Sequence, residues 1–511
     1  MAWVRDWVAY HGVRQPGAPA LTCVERDLTV SWGELDRRVG RLAHRLRHGF
    51  GLRPGERVAM IAENDTRVFE LQFACMRAGL IFTPFSWRLS SGEMATLARD
   101  AEPRVLVYDE TWQERGDQLA DAAGIERRLL WCDDVARSPY DQLIEGDLEA
   151  LPGGLHDEGE ITHILYTSGT TGLPKGALCS QGTLKHQAIN SAQTSRTSEH
   201  GAHHLNIVPL FHAGGLNTFS NPVLYWGGHV TTIRRFDPEI TLRLLADPAV
   251  GITHLCGVLQ MYELITALPS FGGTSFPTLH TGLFGGWGPK TVGVHQAWQD
   301  RGIFLQLAYG STEQGPNVSV LENGRELALL NCSGLINPGT DLRLVDANGV
   351  DVGPGEVGEI WTRGPAITPG YWRRPREDYF TGDWFRTGDC GRLDEAGRLY
   401  IVDRLREVYR SGGENIYPAE VERVLSTAPG VQEVAVIAVP DHRWGDVGMA
   451  IVEPTPGGDV TLEALLAHAE DKLARFKLPK HFAIVEVMPR NATLKIDRSA
   501  LKKAFGAAPA V

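Results

Sequence analysis

Residues 166–176 read YTSGTTGLPKG, a density of glycine, serine and threonine with few uses other than holding phosphate. Gly169, Gly172 and Gly176 let the backbone turn tightly and bring its N–H groups close to a ligand. Thr167, Ser168, Thr170 and Thr171 add hydroxyl donors, and Lys175 adds a positive charge. No Gly-Lys-Ser/Thr follows the glycines, so this is not a Walker loop. The apolar run at 161–166 reads as a buried strand entering the loop.

On the N-terminal side, Ser31-x-x-Glu34 followed by Leu35, Val39, Leu42, Ala43 and Leu46 predicts a capped amphipathic helix over 31–48. A strand at 57–62, a helix at 68–77, a second capping box at Ser90-x-x-Glu93 and a strand at 105–108 follow. Beyond the loop, strand-like runs recur at 205–210, 229–233, 252–256 and 303–307. This alternation predicts parallel sheets covered by helices, arranged as two similar α/β halves.

From about residue 341 the texture changes to short strand-like pieces broken by glycine and proline, at 342–345, 359–362 and 399–402. These predict a small β-barrel or distorted sheet. Past Arg404 the pattern is helix 419–426, strands 433–439 and 449–453, helix 462–475 and strand 481–485. The expected fold is therefore α/β. A large N-terminal domain, residues 1–403, holds two α/β subdomains plus a small β-barrel, and a small mobile α+β C-terminal domain spans 404–511.

Composition narrows the partners. The 511 residues carry a net charge of −12, with 43% hydrophobic and 22% charged residues. A soluble globular protein fits those shares, and the missing basic surplus argues against nucleic acid or an anionic membrane as main partner. Seven scattered cysteines, never in a CxxC pair, suggest reduced thiols rather than a disulfide framework or zinc site. The N-terminal apolar stretch is interrupted by Arg5 and Asp6, and no apolar run approaches the ~18 residues of a membrane span. A cytoplasmic location is expected.

The glycine loop and several motifs after it, in matching order over nearly the whole chain, resemble the adenylate-forming superfamily of acyl-CoA synthetases, luciferases and peptide-synthetase adenylation domains. The resemblance implies ATP and Mg²⁺ as cofactors. Thr167, Ser168, Gly169, Thr170, Thr171, Gly172 and Lys175 would cradle the phosphates. PLFHAGG at 209–215 places His212 between acyl pocket and nucleotide, with Phe211, Leu216, Asn217 and Phe219 as wall candidates. YGSTE at 309–313 implies that Tyr309 packs against adenine, Thr312 bonds the α-phosphate and Glu313 holds Mg²⁺, which prefers hard oxygen ligands.

FRTGD at 385–389 ends in Asp389, suited to accept both ribose hydroxyls, and Arg404 would contact ribose or phosphate. Arg406 occupies the hinge position, where the family usually has Asp or Lys. PRNATLKIDR at 489–498 resembles the family's lysine motif. Lys495 would neutralise charge as a carboxylate attacks the α-phosphorus. Leu494 stands where a glycine is usual, and Lys502 and Lys503 read as ordinary surface lysines.

Together the motifs imply conversion of a small to medium carboxylic acid to an acyl-adenylate, then to a CoA thioester. Gly412 and Gly413 would let a pantetheine arm pass closely, and Trp444 would flank it. Trp287, if turned into the acyl pocket, would favour a compact or aromatic acid. Two other acceptors stay open: an amine, as in coronafacic-acid-ligase-like amide synthetases, or a carrier-protein thiol. Retention of Lys495, Glu313 and Asp389 argues against an inactive binding protein on the same scaffold.

Overall fold

The computed structural model describes residues 2–146, 149–167, 174–286, 291–322, 329–490 and 496–506. Compactness divides the chain into two units. One comprises residues 1–286, 293–341 and 362–385, the other residues 287–292, 342–361 and 386–511.

The larger unit is built on two sheets. The first has strand order Lys175–Ser180, Ile161–Thr167, Ile81–Pro84, Arg57–Ile61, Val105–Asp109 and Arg127–Trp131. All neighbours are parallel except the first pair, which forms the antiparallel hairpin carrying the glycine loop. The second sheet runs Leu335–Ile336, Gly315–Leu321, Leu305–Ser311, Thr281–Gly285, His254–Val258, His203–Asn206, His229–Thr232, Pro19–Cys23 and Leu28–Ser31. Its centre is parallel and its edges antiparallel.

The two-half expectation holds at this level, with corrections. The run at 205–210 is strand only over His203–Asn206, because Val208 and Leu210 are clamped in a loop by Asn64: Asn64 Nδ2 donates to Val208 O, and Leu210 N donates to Asn64 Oδ1. The strand Thr281–Gly285 escaped the sequence pattern. Ser90 and Glu93 form a complete capping box. Ser31 caps its helix, Trp32–His44, but Glu34 turns to Arg37 instead of closing the box.

The helix Thr66–Ala78 is buried along its whole length, polar residues included. Burial of charge is tolerable only with paired partners. Arg38 donates twice to Glu70, at 2.9 and 3.0 Å. Arg77 binds both oxygens of Asp6 and one of Asp36. Arg67, 1% exposed as a side chain, spans Asp65, Asp141 and the Cys132 carbonyl while lying over the Trp131 ring. Replacing Arg67 by leucine leaves the two buried carboxylates with Arg26 and Arg38 as the remaining cations among the described residues. A loss of about 3–5 kcal/mol is expected, read as a lowered urea midpoint. A loss below ~1 kcal/mol would contradict the assigned role of this network.

The second sheet has a histidine cluster at its centre. His203 and His229 stack at 3.8 Å, and His204 and His254 face each other across paired strands. Burial lowers the pKa of His203 to about 4, and those of His204, His229 and His254 to about 3. These imidazoles are neutral in the fold but take up protons near pH 6.5 once unfolded. The unfolded chain therefore binds more protons below pH 6.5, and stability falls as pH drops. Four such groups contribute up to about 5 kcal/mol per pH unit between roughly pH 6 and 4. Thermal melts at pH 8, 6.5 and 5 should show a midpoint that is flat above pH 7 and falls steeply below 6.5. A flat profile down to pH 5 contradicts the cluster's role.

In the smaller unit, Asp341–Val345, Gly358–Arg363, Trp384–Leu393 and Leu399–Arg404 neighbour one another in that order. A further sheet runs Glu414–Ile416, Tyr409–Ser411, Gly445–Pro454, Val431–Asp441, with His481–Ile484 parallel to Gly445–Pro454. Helices Pro418–Leu425, Leu462–Ala469 and Arg498–Phe505 complete an α+β body. The predicted helix over 462–475 stops at Ala469, and a short 3₁₀ turn, Arg475–Lys477, takes up part of the remainder.

All seven cysteines are among the described residues; each is buried and none forms a disulfide. Burial pushes the thiols of Cys23, Cys179, Cys256 and Cys390 up to about 12.

Candidate active site

In the larger unit the base of the glycine-loop hairpin meets the turn that carries Glu313. Thr167 pairs with Lys175 across the hairpin. Thr167 Oγ1 donates to Glu313 Oε1 at 3.3 Å. The same oxygen accepts from the Tyr371 hydroxyl at 2.7 Å. Tyr371 belongs to a segment laid along the edge strand Lys175–Ser180, where Leu178 N donates to Gly370 O and Trp372 N to Gly176 O. Lys175 Nζ stands over the rings of Tyr379, at 4.5 Å, and Tyr371, at 5.5 Å. An ammonium gains electrostatically from such ring faces and stays available to an anion.

Thr312 and Glu313 occupy the turn of the hairpin between Leu305–Ser311 and Gly315–Leu321. Tyr309 is buried, its hydroxyl accepting from Gln314 Nε2, and Thr362 Oγ1 holds Gln314 Oε1. His212 sits at a short helical turn, where its Nδ1 accepts from Gly214 N at 3.1 Å. That bond leaves the proton on Nε2. Phe211 is buried edge-on to Trp87 at 6.0 Å. Leu216 is buried, and Phe219 packs against His204 and His254, placing its ring in the histidine cluster.

The smaller unit carries a second group. Arg404 Nε lies 3.2 Å from Asp389 Oδ1 across paired strands. Two expected nucleotide contacts are thus already together, the cation beside the carboxylate. Arg406 pairs with Glu407 at 3.2 Å, and Lys502 Nζ donates to Glu407 at 2.6 Å. Lys502 is therefore not the ordinary surface lysine expected. It ties the helix Arg498–Phe505 to residues 404–407, while Arg498 grips Glu422 with two bonds. Gly412 has φ +59°, and a Cβ there would lie 2.9 Å from the Trp444 ring. Glycine lets the ring lie against the turn, and Gly413 follows with φ +94°. Trp444 is 38% exposed, with Lys480 Nζ 4.4 Å and Arg443 Cζ 4.7 Å from its ring centroid.

Ser168, Gly169, Thr170, Thr171, Gly172, Trp287, Leu494 and Lys495 lie outside the described residues. Tyr371 and Tyr379 were missed by the sequence reading. The only signal was an aromatic-rich stretch, GYW at 370–372, in a region without periodicity.

The AMP-binding enzyme family matches residues 8–372, and the AMP-binding enzyme C-terminal domain matches residues 420–495. A feruloyl-CoA synthase of Amycolatopsis sp is 38% identical over 495 residues, covering 96% of this chain and 97% of that protein. An indoleacetate–CoA ligase of Aromatoleum aromaticum is 34% identical over 98% of this chain and 97% of its own length. Among solved structures, ATP-bound MatB from Rhodopseudomonas palustris superposes with a TM-score of 0.89 at 28% identity, covering 98% of this chain and 99% of that one.

Proposed function

The chain belongs to the AMP-binding enzyme family, and from that premise we propose that it joins a carboxylic acid bearing an aromatic ring to coenzyme A. It is an ATP-dependent acid–thiol ligase. In the first step the substrate carboxylate attacks the α-phosphorus of ATP, and pyrophosphate leaves. In the second the CoA thiol attacks the acyl carbon, its proton is lost, and AMP leaves. The protein forms no covalent intermediate, so catalysis is positioning and charge neutralisation. Aromatic character is supported by the feruloyl and indoleacetyl relatives.

The convergence of Thr167, Glu313 and Tyr371 on one carboxylate, beside Lys175, carries this assignment. A single hard carboxylate oxygen next to a hydroxyl fits Mg²⁺, which is usually held by one or two carboxylates plus substrate phosphates. No cluster of three or more His, Cys, Asp or Glu able to hold a metal is present among the described residues. Bound there, it would offset phosphate charge. Glu313 would hold it, Thr312 and Thr167 would donate to phosphate oxygens, and Lys175 would face the pyrophosphate side. His212, with its proton on Nε2, would donate to the substrate carboxylate, and Phe211 would wall the acyl pocket. Tyr309 would border adenine, and Asp389 and Arg404 would take the ribose.

CoA as acceptor is supported by the Gly412–Gly413 turn and by Trp444, exposed and flanked by two cations suited to phosphate. The hinge is proposed at residues 404–407, with residues 404–511 moving between the two steps. No described helix is long and apolar enough to cross a membrane.

The test is pyrophosphate release across a panel of aromatic and aliphatic acids, with CoA, with an amine mixture, or with neither, product mass being read in parallel. Sustained turnover with aromatic acids only when CoA is present, giving thioester, is the expected result. Turnover with amines but not CoA would replace this function with amide synthesis.

A further inference from the structure

Thr167 and Lys175 are directly opposed in the antiparallel hairpin, so their side chains leave the same face, and the Thr167 hydroxyl already bonds Glu313. A lysine on a flexible four-carbon stem this near a carboxylate would ordinarily turn to it. Such a pair would cancel both charges. Among the described residues Lys175 forms no ion pair with Glu313, and its ammonium stands instead over the rings of Tyr379 and Tyr371. The two rings meet at 4.4 Å with their planes tilted by 59°. Tyr371 belongs to a small core with Ala177, Ile367, Phe380 and Phe385, against which Tyr379 packs. The chain beside Tyr371 is pinned as well. Thr368 N donates to Glu313 O at 2.7 Å, and Trp372 Nε1 donates to Asp100 O at 3.0 Å while its ring meets the guanidiniums of Arg57 and Arg373. Tyr371 thus bonds Glu313 with its hydroxyl and faces Lys175 with its ring, so one side chain touches both charges. A ring face attracts an ammonium without neutralising it. All these residues lie in the larger unit.

We propose that Tyr371 and Tyr379 are positioning residues whose ring faces hold the Lys175 ammonium off Glu313, keeping the cation for phosphate and the carboxylate for Mg²⁺. The proposal rests on the ligase function assigned above and adds Tyr379 to its machinery. An ammonium has three N–H donors, so a phosphate can bond it while the rings keep their contact. Tyr379 isolates the effect, because it offers the nearer ring while the bonds to Glu313 Oε1 come from Thr167 and Tyr371.

The test is a double-mutant cycle on Tyr379→Leu and Lys175→Gln, with Tyr379→Phe as the conservative variant. Calorimetry with metal chelated reads the Kd of ATP and of pyrophosphate, and pyrophosphate release reads the Mg²⁺ concentration that gives half the maximal rate. Tyr379→Leu should weaken both ligands by about 5-fold and raise the Mg²⁺ requirement, since Lys175 can then fall on Glu313. Tyr379→Phe keeps the ring face and should stay within about twofold of wild type. In the Lys175→Gln background the leucine change should add less than about twofold. Tyr379→Met, which also lacks a ring, takes the place of the leucine variant should that one fail to fold. Unchanged constants in the ringless variant overturn the proposal. So does an equal loss in the Lys175→Gln background, which assigns the ring to packing, or an equal loss in Tyr379→Phe, which assigns the effect to the hydroxyl. Tighter binding also overturns it, because the rings would then withhold the lysine from phosphate. The calorimetric titrations need neither acid nor CoA. A chain that shows the cycle but makes no thioester loses the ligase function and keeps the ring assignment, and a chain that makes thioester without the cycle does the reverse.

Discussion

Replacing Glu313 by glutamine lowers adenylate formation by about 10²–10³-fold while leaving the melting temperature close to that of the wild-type chain. Glutamine keeps the shape, and its carbonyl oxygen still accepts from Tyr371 and Thr167, the two contacts that fix Glu313 Oε1 at 2.7 and 3.3 Å. Only the charge is lost. The deficit should appear as a raised Mg²⁺ requirement and a lower kcat, partly relieved by excess metal, as expected of a group that meets the cation. Tyr371→Phe keeps the charge and removes one positioning bond, so its expected deficit is smaller, about 10-fold. Pyrophosphate release at varied Mg²⁺ measures both. A Glu313→Gln rate within threefold of wild type at every Mg²⁺ concentration would remove this carboxylate from the mechanism.

Lys495→Ala separates the two half-reactions. The lysine motif implies that its positive charge serves the step in which the carboxylate attacks phosphorus, and on that role pyrophosphate release should fall by at least about 10²-fold. ATP binding rests on other groups and should change only a few-fold. Chemically prepared acyl-adenylate should still be converted to thioester, since that step breaks the bond between the acyl carbon and oxygen and none at phosphorus. Lys495 lies outside the described residues, but the helix beginning three residues later is tied down by Arg498 to Glu422 and by Lys502 to Glu407. Lys502→Ala should therefore mimic a weaker form of the same defect, with adenylation slowed and thioester formation spared. Equal slowing of both steps by Lys495→Ala would reassign the lysine to general binding.

Features that depend on neighbours in the chain were legible before the fold was seen. The Ser90–Glu93 box, the helix at 66–78 and the strand entering the glycine loop follow from residues within a turn or two of one another. Where another contact competed with a local signal, or the signal outran the element, the sequence misled. Glu34 is drawn to Arg37, so the first capping box stays half made. Leu462–Ala469 ends early although apolar spacing continues beyond it. Phe219 follows the His212 motif closely enough to suggest a pocket wall, yet its ring belongs to the histidines of the sheet.

The candidate site was legible as a set of motifs but not as a constellation. Thr167 and Glu313 are 146 positions apart, and only folding brings the carboxylate to the loop. Tyr371 was invisible for the same reason, since its partners lie 58 positions away at Glu313 and across a bridge at Ala177.

The seven cysteines, all interior and several with thiols held protonated far above neutral pH, bear on how the second half-reaction can be watched. An acyl-adenylate is an acylating agent, and thiolate is the form of sulfur it would find. All seven thiols are buried, and those of Cys23, Cys179, Cys256 and Cys390 are held protonated, so these sulfurs do not compete for the activated acyl group and should not be labelled by it. Burial extends the same argument to colorimetric thiol reagents: with native enzyme in the cuvette, the sulfur they report, and the sulfur that disappears, should be that of coenzyme A.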